Sequence, residues 1–199
     1  MPSYSSKSLL QQLKTDVIDV LEAVQNNYAH LPENMLLIQP AAGKWSIAQA
    51  MEHMNTYGRY YLLAIEKTID KAALLNNKNT ASFVPGWLGD YFTKMMLKPV
   101  KMKAPAKHVP SAKLNAKEVV EEFMEQQRYL LLLLSKAENI DLGRWRIPIT
   151  LTKAIKLKLG DTFRFLIAHE QRHMIQIKNA AIALGENITY TIPAVHPAI

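Results

Sequence analysis

Apolar residues recur every three or four positions along four long segments of this chain, and that spacing limits the fold more than any other feature. Leu10, Leu13, Val17, Val20, Val24 and Tyr28 mark the first segment. They predict a helix from Ser5 or Ser8 to Ala29 with one buried face. Leu31-Pro32 ends it, because the residue before a proline avoids the helical region. Ile47, Ala50, Met54, Tyr57, Tyr61, Ala64 and Thr68 mark the second, running to about Leu75. Ser46 followed by Gln49 is a capping-box signature at its start, and Asn76-Asn77-Lys78-Asn79 is its stop. The third spans Asn115 to Glu138, capped by Asn115 with Glu118, and turns Val119, Phe123, Leu130 and Leu134 inward. Leu130 to Leu134 is apolar all round, which suggests burial on more than one side, as in a subunit interface. The fourth begins at Gly160 or Asp161 and ends at Leu184-Gly185, where glycine suits a left-handed cap. Its stripe is Thr162, Leu166, His169, His173, Gln176 and Ala180, beside a second apolar run through Phe163, Ile167, Met174, Ile177, Ala181 and Leu184.

The expected fold is therefore all-α: a four-helix bundle with a long crossover connection between the second and third long helices. Residues 80–115 form that crossover, with a turn at Phe83-Val84-Pro85-Gly86 and a short helix from Trp87 to Leu97. An extended basic path follows, interrupted by Pro99, Pro105 and Pro110. A connection this long suits two helices not joined by a hairpin. Asp141 to Thr150 reads as a loop with Pro148, and residues 151–159 fit a short amphipathic strand or turn. Residues 1–199 read as one domain with an extended tail from about 186, containing Pro193 and Pro197.

Composition narrows the chemistry. With 199 residues, 49% hydrophobic, the chain can bury a substantial core as a soluble domain. No apolar run reaches the roughly 18 residues of a membrane span, and Met1 to Lys7 lacks the apolar stretch of a secretory signal, so the expectation is a cytoplasmic protein with no membrane role. Cysteine is absent, so a metal would have to be held by His, Asp, Glu or water. The net charge of +7 lies largely in Lys94, Lys98, Lys101, Lys103, Lys107 and Lys113 and in Lys153, Lys156 and Lys158. These read as solvated lysines on connecting segments. With no zinc-finger spacing and no RNP-like aromatic motif, nucleic acid is not an expected partner.

The histidines point to a site. His169 and His173 lie four residues apart, so on a helix they differ by about 40° around the axis and one turn along it. His53 stands beside the second stripe, near Gln49 and Tyr57. These three are the inward candidates, while His30, His108 and His196 read as surface residues. An inward histidine is ordinarily a hydrogen-bonded core residue. Three neutral imidazoles with an open position suit a divalent ion, Zn²⁺ or Ni²⁺ first and Fe or Mn after them. His169-Glu170-Gln171-Arg172-His173 also matches H-E-x-x-H. The longer metzincin pattern would need glycine at 176 and histidine at 179, where Gln176 and Asn179 stand. Glu186, just past the helix end, is the only downstream glutamate, so a metallopeptidase is the weaker alternative.

Two blocks carry a resemblance. Gly43-Lys44-Trp45-Ser46-Ile47-Ala48-Gln49-Ala50-Met51-Glu52-His53-Met54 and Phe165-Leu166-Ile167-Ala168-His169-Glu170-Gln171-Arg172-His173-Met174-Ile175-Gln176-Ile177 together resemble the DinB/YfiT-like superfamily. Glu121-Glu122-Phe123 and Arg146-Ile147-Pro148 fit more loosely. The resemblance implies a four-helix bundle with a long crossover, a divalent metal held by His53, His169 and His173, and a homodimer. It also implies one of several activities: thiol S-transferases using bacillithiol or mycothiol, an isomerase of that kind, or metal-dependent hydrolases, each acting on a small-molecule substrate. With no cysteine in the chain, a thiol nucleophile would come from a low-molecular-weight thiol cosubstrate. Glu170 is the candidate catalytic base if it turns toward the ion, and otherwise pairs with Arg172 or a neighbour. Gln49, Tyr57 and Gln176 are candidates to orient the imidazoles. Trp45 has a plainer role available, plugging the bundle end ahead of the Ser46 cap. The competing expectation is a metal-binding or association bundle without turnover.

Overall fold

The computed structural model describes residues 3–75, 80–98 and 102–191. The stop at Asn76 to Asn79, Pro99, Lys101 and the tail with Pro193, His196 and Pro197 lie outside the described residues. The four long helices are α1 (Ser6–Asn27), α3 (Ile47–Leu74), α5 (Ala116–Lys136) and α6 (Leu159–Ala183). Side-chain caps start α1, α3 and α5, and a backbone motif stops α6, satisfying groups that a helix end leaves unpaired. Ser46 Oγ accepts from Gln49 N–H at 3.1 Å and Gln49 Oε1 accepts from Ser46 N–H at 3.0 Å, a complete capping box. Asn115 caps α5 through Glu118 N–H at 3.3 Å. Beyond α6, Gly185 adopts φ 91°, and Gly185 and Glu186 donate to Ile182 and Ala181 carbonyls, each at 3.0 Å. That is a Schellman stop, which a side chain at position 185 would strain.

The stripes are buried as the spacing requires, with one drift. Along α3 the buried residues pass from Tyr57 and Tyr61 to Ile65 and Ile69, leaving Ala64 and Thr68 half-buried, because a 3.6-residue turn does not hold a fixed seven-residue repeat. In the leucine run of α5, Leu130, Leu133 and Leu134 are buried by the bundle itself and Leu132 faces out.

Two features differ from the sequence expectation. A short helix, α2 (Glu33–Leu37), follows Pro32 and buries Leu36. Asp141 to Thr150 is not only a loop. It contains β3 (Arg146–Ile149), which pairs antiparallel with β4 (Thr152–Lys158) and has a register shift at Pro148/Ile149. Alternation places Ile147, Ile149 and Leu157 in the core. Pro148 is tolerated because a two-stranded hairpin consists of edges. A two-residue bridge joins β1 (Tyr4–Ser5) to β2 (Ser82–Phe83).

The apolar core is divided in two. One cluster joins Leu9 to Val17 of α1, Tyr57 to Ala72 of α3, Leu130 to Leu134 of α5 and Leu159 to Ala168 of α6. The other joins Val20 to Val24, Ile47 to Met54, Ala116 to Met124 and Met174 to Ala181 of the same helices. Hence α3 and α5 run in the same direction, and α1 and α6 run opposite to both. The chain must therefore travel back along α3, a helix of 28 residues and about 42 Å, before α5 can begin. That return accounts for the long crossover. Its middle is α4 (Trp87–Leu97), seated on α6. A methyl group on Gly89 would lie 2.3 Å from the Asp161 carboxyl carbon, so this contact admits only glycine. Between the two clusters lies a buried polar layer: Asp16, His53, Asn55, Gln127, His169, Glu170, Gln171 and His173.

Candidate metal centre

The imidazoles of His53, His169 and His173 each offer a ring nitrogen, and these atoms lie within 4.8 Å of one another. All three side chains are buried. The capping box fixes where α3 starts, and so places His53 two turns in, level with the middle of α6.

Hydrogen bonds decide which nitrogens face the centre. His53 Nδ1 lies 2.6 Å from the His108 carbonyl oxygen, which can only accept, so Nδ1 carries the proton and Nε2 keeps its lone pair. His173 Nδ1 is held in the same way by Gln176 Oε1 at 2.9 Å. His53 Nε2 and His169 Nε2 are 3.2 Å apart, close to the roughly 3.3 Å between two nitrogens bound to one tetrahedral ion at about 2.05 Å. His169 Nδ1 is buried with no hydrogen-bond partner, so no acceptor on its far side selects its tautomer as one does for the other two. The donor set thus fits a divalent ion held through neutral imidazoles. Burial favours that neutral state: it lowers His53, lowers His169 well below the ordinary value with His173 and His53 adding to the effect, and brings His173 down to about 3.

Of the expected supporting residues, Gln176 holds His173, and Tyr57 packs its ring 4.3 Å from His169 and 5.2 Å from His53. Gln49 serves the helix cap and accepts from Gln39 Nε2, with no bond to a histidine among the described residues. Glu170 points away from the three imidazoles toward α5. Gln127 Nε2 donates to its Oε1 at 3.2 Å, and burial pushes its carboxyl up to about 8. It does not line the cavity described below.

His108 is a correction. It is buried, not on the surface, because a 3₁₀ turn at Ala106–His108 tucks it against α3. Its ring stacks on Tyr57 at 4.0 Å, its Nδ1 meets Thr56 Oγ1 at 2.8 Å and its Nε2 meets Thr150 Oγ1 at 3.1 Å. The crossover, α3 and the β3–β4 turn are thereby joined, and the His108 carbonyl is held where His53 needs an acceptor. His30 is exposed, as expected.

A cavity of about 390 Å³ opens above the histidines. Trp45, Tyr57, Phe165, Met96 and Met102 form its apolar walls. Trp45 does more than plug the bundle end, since its ring sits 4.8 Å from that of His53 and 6.1 Å from that of His173. Arg172 also lines the cavity. Its Nη1 donates to the carbonyls of Met96 at 3.2 Å and Lys98 at 2.6 Å, fastening the end of α4 over the site. The H-x-x-R-H spacing contained this residue without showing what it would bind.

Comparison with known proteins agrees with this architecture. The family model of the DinB superfamily matches residues 10–177. The solved structure of YfiT from Bacillus subtilis, described as a probable metal-dependent hydrolase with an unusual four-helix bundle topology, superposes with a TM-score of 0.50 at 11% identity, over 92% of this chain and 89% of that one. At that identity the likeness speaks for the fold alone. No curated protein matched the chain.

Proposed function

The chain belongs to the DinB superfamily, and from that membership we propose that it is a divalent-metal-dependent enzyme, a transferase or hydrolase acting on a small molecule, with His53, His169 and His173 as the metal ligands. One observation carries the reading: three neutral imidazoles from two helices converge within 4.8 Å at the base of a cavity, two of them held by oxygen acceptors on their far nitrogens. The YfiT description, which belongs to that protein, points the same way. A bound divalent ion would supply Lewis acidity and lower the pKa of a water or thiol beside it.

The protein's own groups do the rest. The His108 carbonyl and Gln176 keep two imidazoles in the tautomer that presents Nε2. Tyr57, pushed up to about 12 by burial, stays protonated near neutral pH and can donate a hydrogen bond into the cavity. Trp45 and Phe165 narrow the water-accessible space. A thiol nucleophile would enter as a cosubstrate, since the chain has no cysteine. The proposal gives Glu170 no proton to move, because it faces Gln127. Zn²⁺ or Ni²⁺ is the expected ion. A homodimer and a cytoplasmic location belong to the same proposal. Exposed Leu132 on α5 would be covered in such a dimer.

Turnover separates the enzyme from a metal-binding bundle without one. The metal-loaded protein is incubated with electrophilic and ester substrates, with and without added thiol. Thiol-dependent product identifies a transferase, and product independent of thiol a hydrolase. No turnover by loaded protein on either panel would count against an enzyme.

A further inference from the structure

The charges around the cavity are all of one sign. Lys44, Lys103 and Arg172 line it, and among the described residues no aspartate or glutamate does. The two carboxyls adjacent in sequence to the histidines are engaged elsewhere: Glu52 with Arg59, and Glu170 with Gln127 of α5. The three histidines converge at the base, where His53 and His173 turn Nδ1 to oxygen acceptors. Two carbonyls at the end of α4 hold the Arg172 Nη1, which keeps this half-buried cation at the cavity wall. Lys44 and Lys103 are exposed, and neither forms an ion pair among the described residues. They stand on the solvent side and the histidines on the buried side. The cavity therefore runs from a cationic entrance to the imidazole donor set, with aromatic walls between. A concave site lined by one sign of charge and low-dielectric walls concentrates ligands of the opposite sign. A divalent ion on the histidines would strengthen this, because no ligand in the set offsets its charge.

Building on the proposed function, we infer that the substrate or cosubstrate of this site carries an oxyanion, a carboxylate or a phosphoryl group, received by Lys44 and Lys103 in the field of the fixed Arg172 charge, while its apolar body lies along Trp45 and Phe165. Cationic small molecules are disfavoured by the same field.

The test is a binding titration near neutral pH, followed by NMR shifts of cavity residues. Benzoate, phenylphosphonate and the neutral benzamide are compared on metal-free and zinc-loaded protein, and on Lys44→Met/Lys103→Met, whose two positions are exposed and leave the core intact. The expected result is that an anion binds about tenfold or more tightly than benzamide in both metal states. The preference should shrink in the double variant and with added salt. Benzoate against phenylphosphonate then tells which oxyanion fits. Benzamide binding as tightly as either anion would overturn the inference, as would no shift of cavity residues with any probe. An anion preference that exists only with zinc and survives unchanged in the double variant would also overturn it, since the metal alone would then hold the anion. If the protein takes up no zinc yet prefers anions, the inference stands and the metal proposal falls. If zinc binds and the preference is missing, the reverse holds.

Discussion

Two stretches of α6 bury polar side chains, and they resolve that cost in opposite ways. Near its start, Arg164 donates to Asp161 Oδ1 at 3.3 Å, Asp90 Oδ1 at 3.1 Å and Tyr4 Oη at 3.1 Å, and Asp161 Oδ2 accepts from Gly86 N–H at 2.7 Å. Buried charges there find opposite charges and donors. About one and a half to two and a half turns beyond Arg164, His169 and His173 meet no charge of opposite sign among the described residues. Their partners are another histidine and an amide oxygen, and their remaining lone pairs point at a common volume. A closed network fastens α4 and the N-terminus to the bundle. An open, convergent one leaves valence for a ligand from outside. Burial alone does not tell them apart; satisfaction of the polar atoms does.

The comparison can be broken by exchanging the consequences. Arg164→Ala leaves Asp161 and Asp90 without their buried cation, and the expected loss is about 3–5 kcal/mol of folding stability. Denaturant titration measures it, and the metal affinity of the folded protein should change little. His53→Ala and His173→Ala should do the opposite: metal affinity falls by about 10-fold or more in each, while the metal-free fold persists. Gln176→Ala removes the acceptor that orients His173, and metal affinity should fall by about 10-fold with all three imidazoles still present. Competition against a chelator of known affinity reads both effects.

The effect of pH on the metal-free protein is smaller. The histidines are lowered in the folded state, so below about pH 6.5 the unfolded chain takes up protons that the folded one refuses. Their contribution is full above that value and is lost as pH falls toward the folded value, about 3 for His173. Glu170 acts with the other sign. Its folded carboxyl holds a proton to about 8 against 4.5 for the ordinary group, so stability erodes as pH rises through that interval. Glu170→Gln should remove the alkaline loss and raise the midpoint at high pH by about 2–4 °C for each kcal/mol recovered. A variant indistinguishable from wild type across the pH range would mean that Glu170 titrates normally.

The helices were legible because their information is local: a three-four stripe, a Ser46–Gln49 cap and a Gly185 stop each lie within one segment. The histidine cluster was legible for a related reason, since one-turn spacing joins His169 to His173, and His53 follows its cap by a fixed interval. The hairpin was harder to see, because β3 has four residues and one is Pro148. His108 left no signal at all. Its contribution to His53 is a backbone carbonyl, which every residue has, and its burial depends on the path of a proline-rich crossover. The orientation of Glu170 follows from helix geometry, since a neighbour of His169 is turned by about 100° from it. What the helix period could not supply was the Gln127 partner across the bundle.

The proposal that the open turn of α6 is a metal centre is tested most directly by metal content. Protein purified without a metal-affinity tag, and the same protein after reconstitution and removal of excess ion, is measured by elemental analysis beside His53→Ala and His173→Ala. The expected result is about one equivalent of divalent ion per chain in the wild type and a marked loss in both variants. Less than about a tenth of an equivalent after reconstitution, or full retention in both variants, would contradict it.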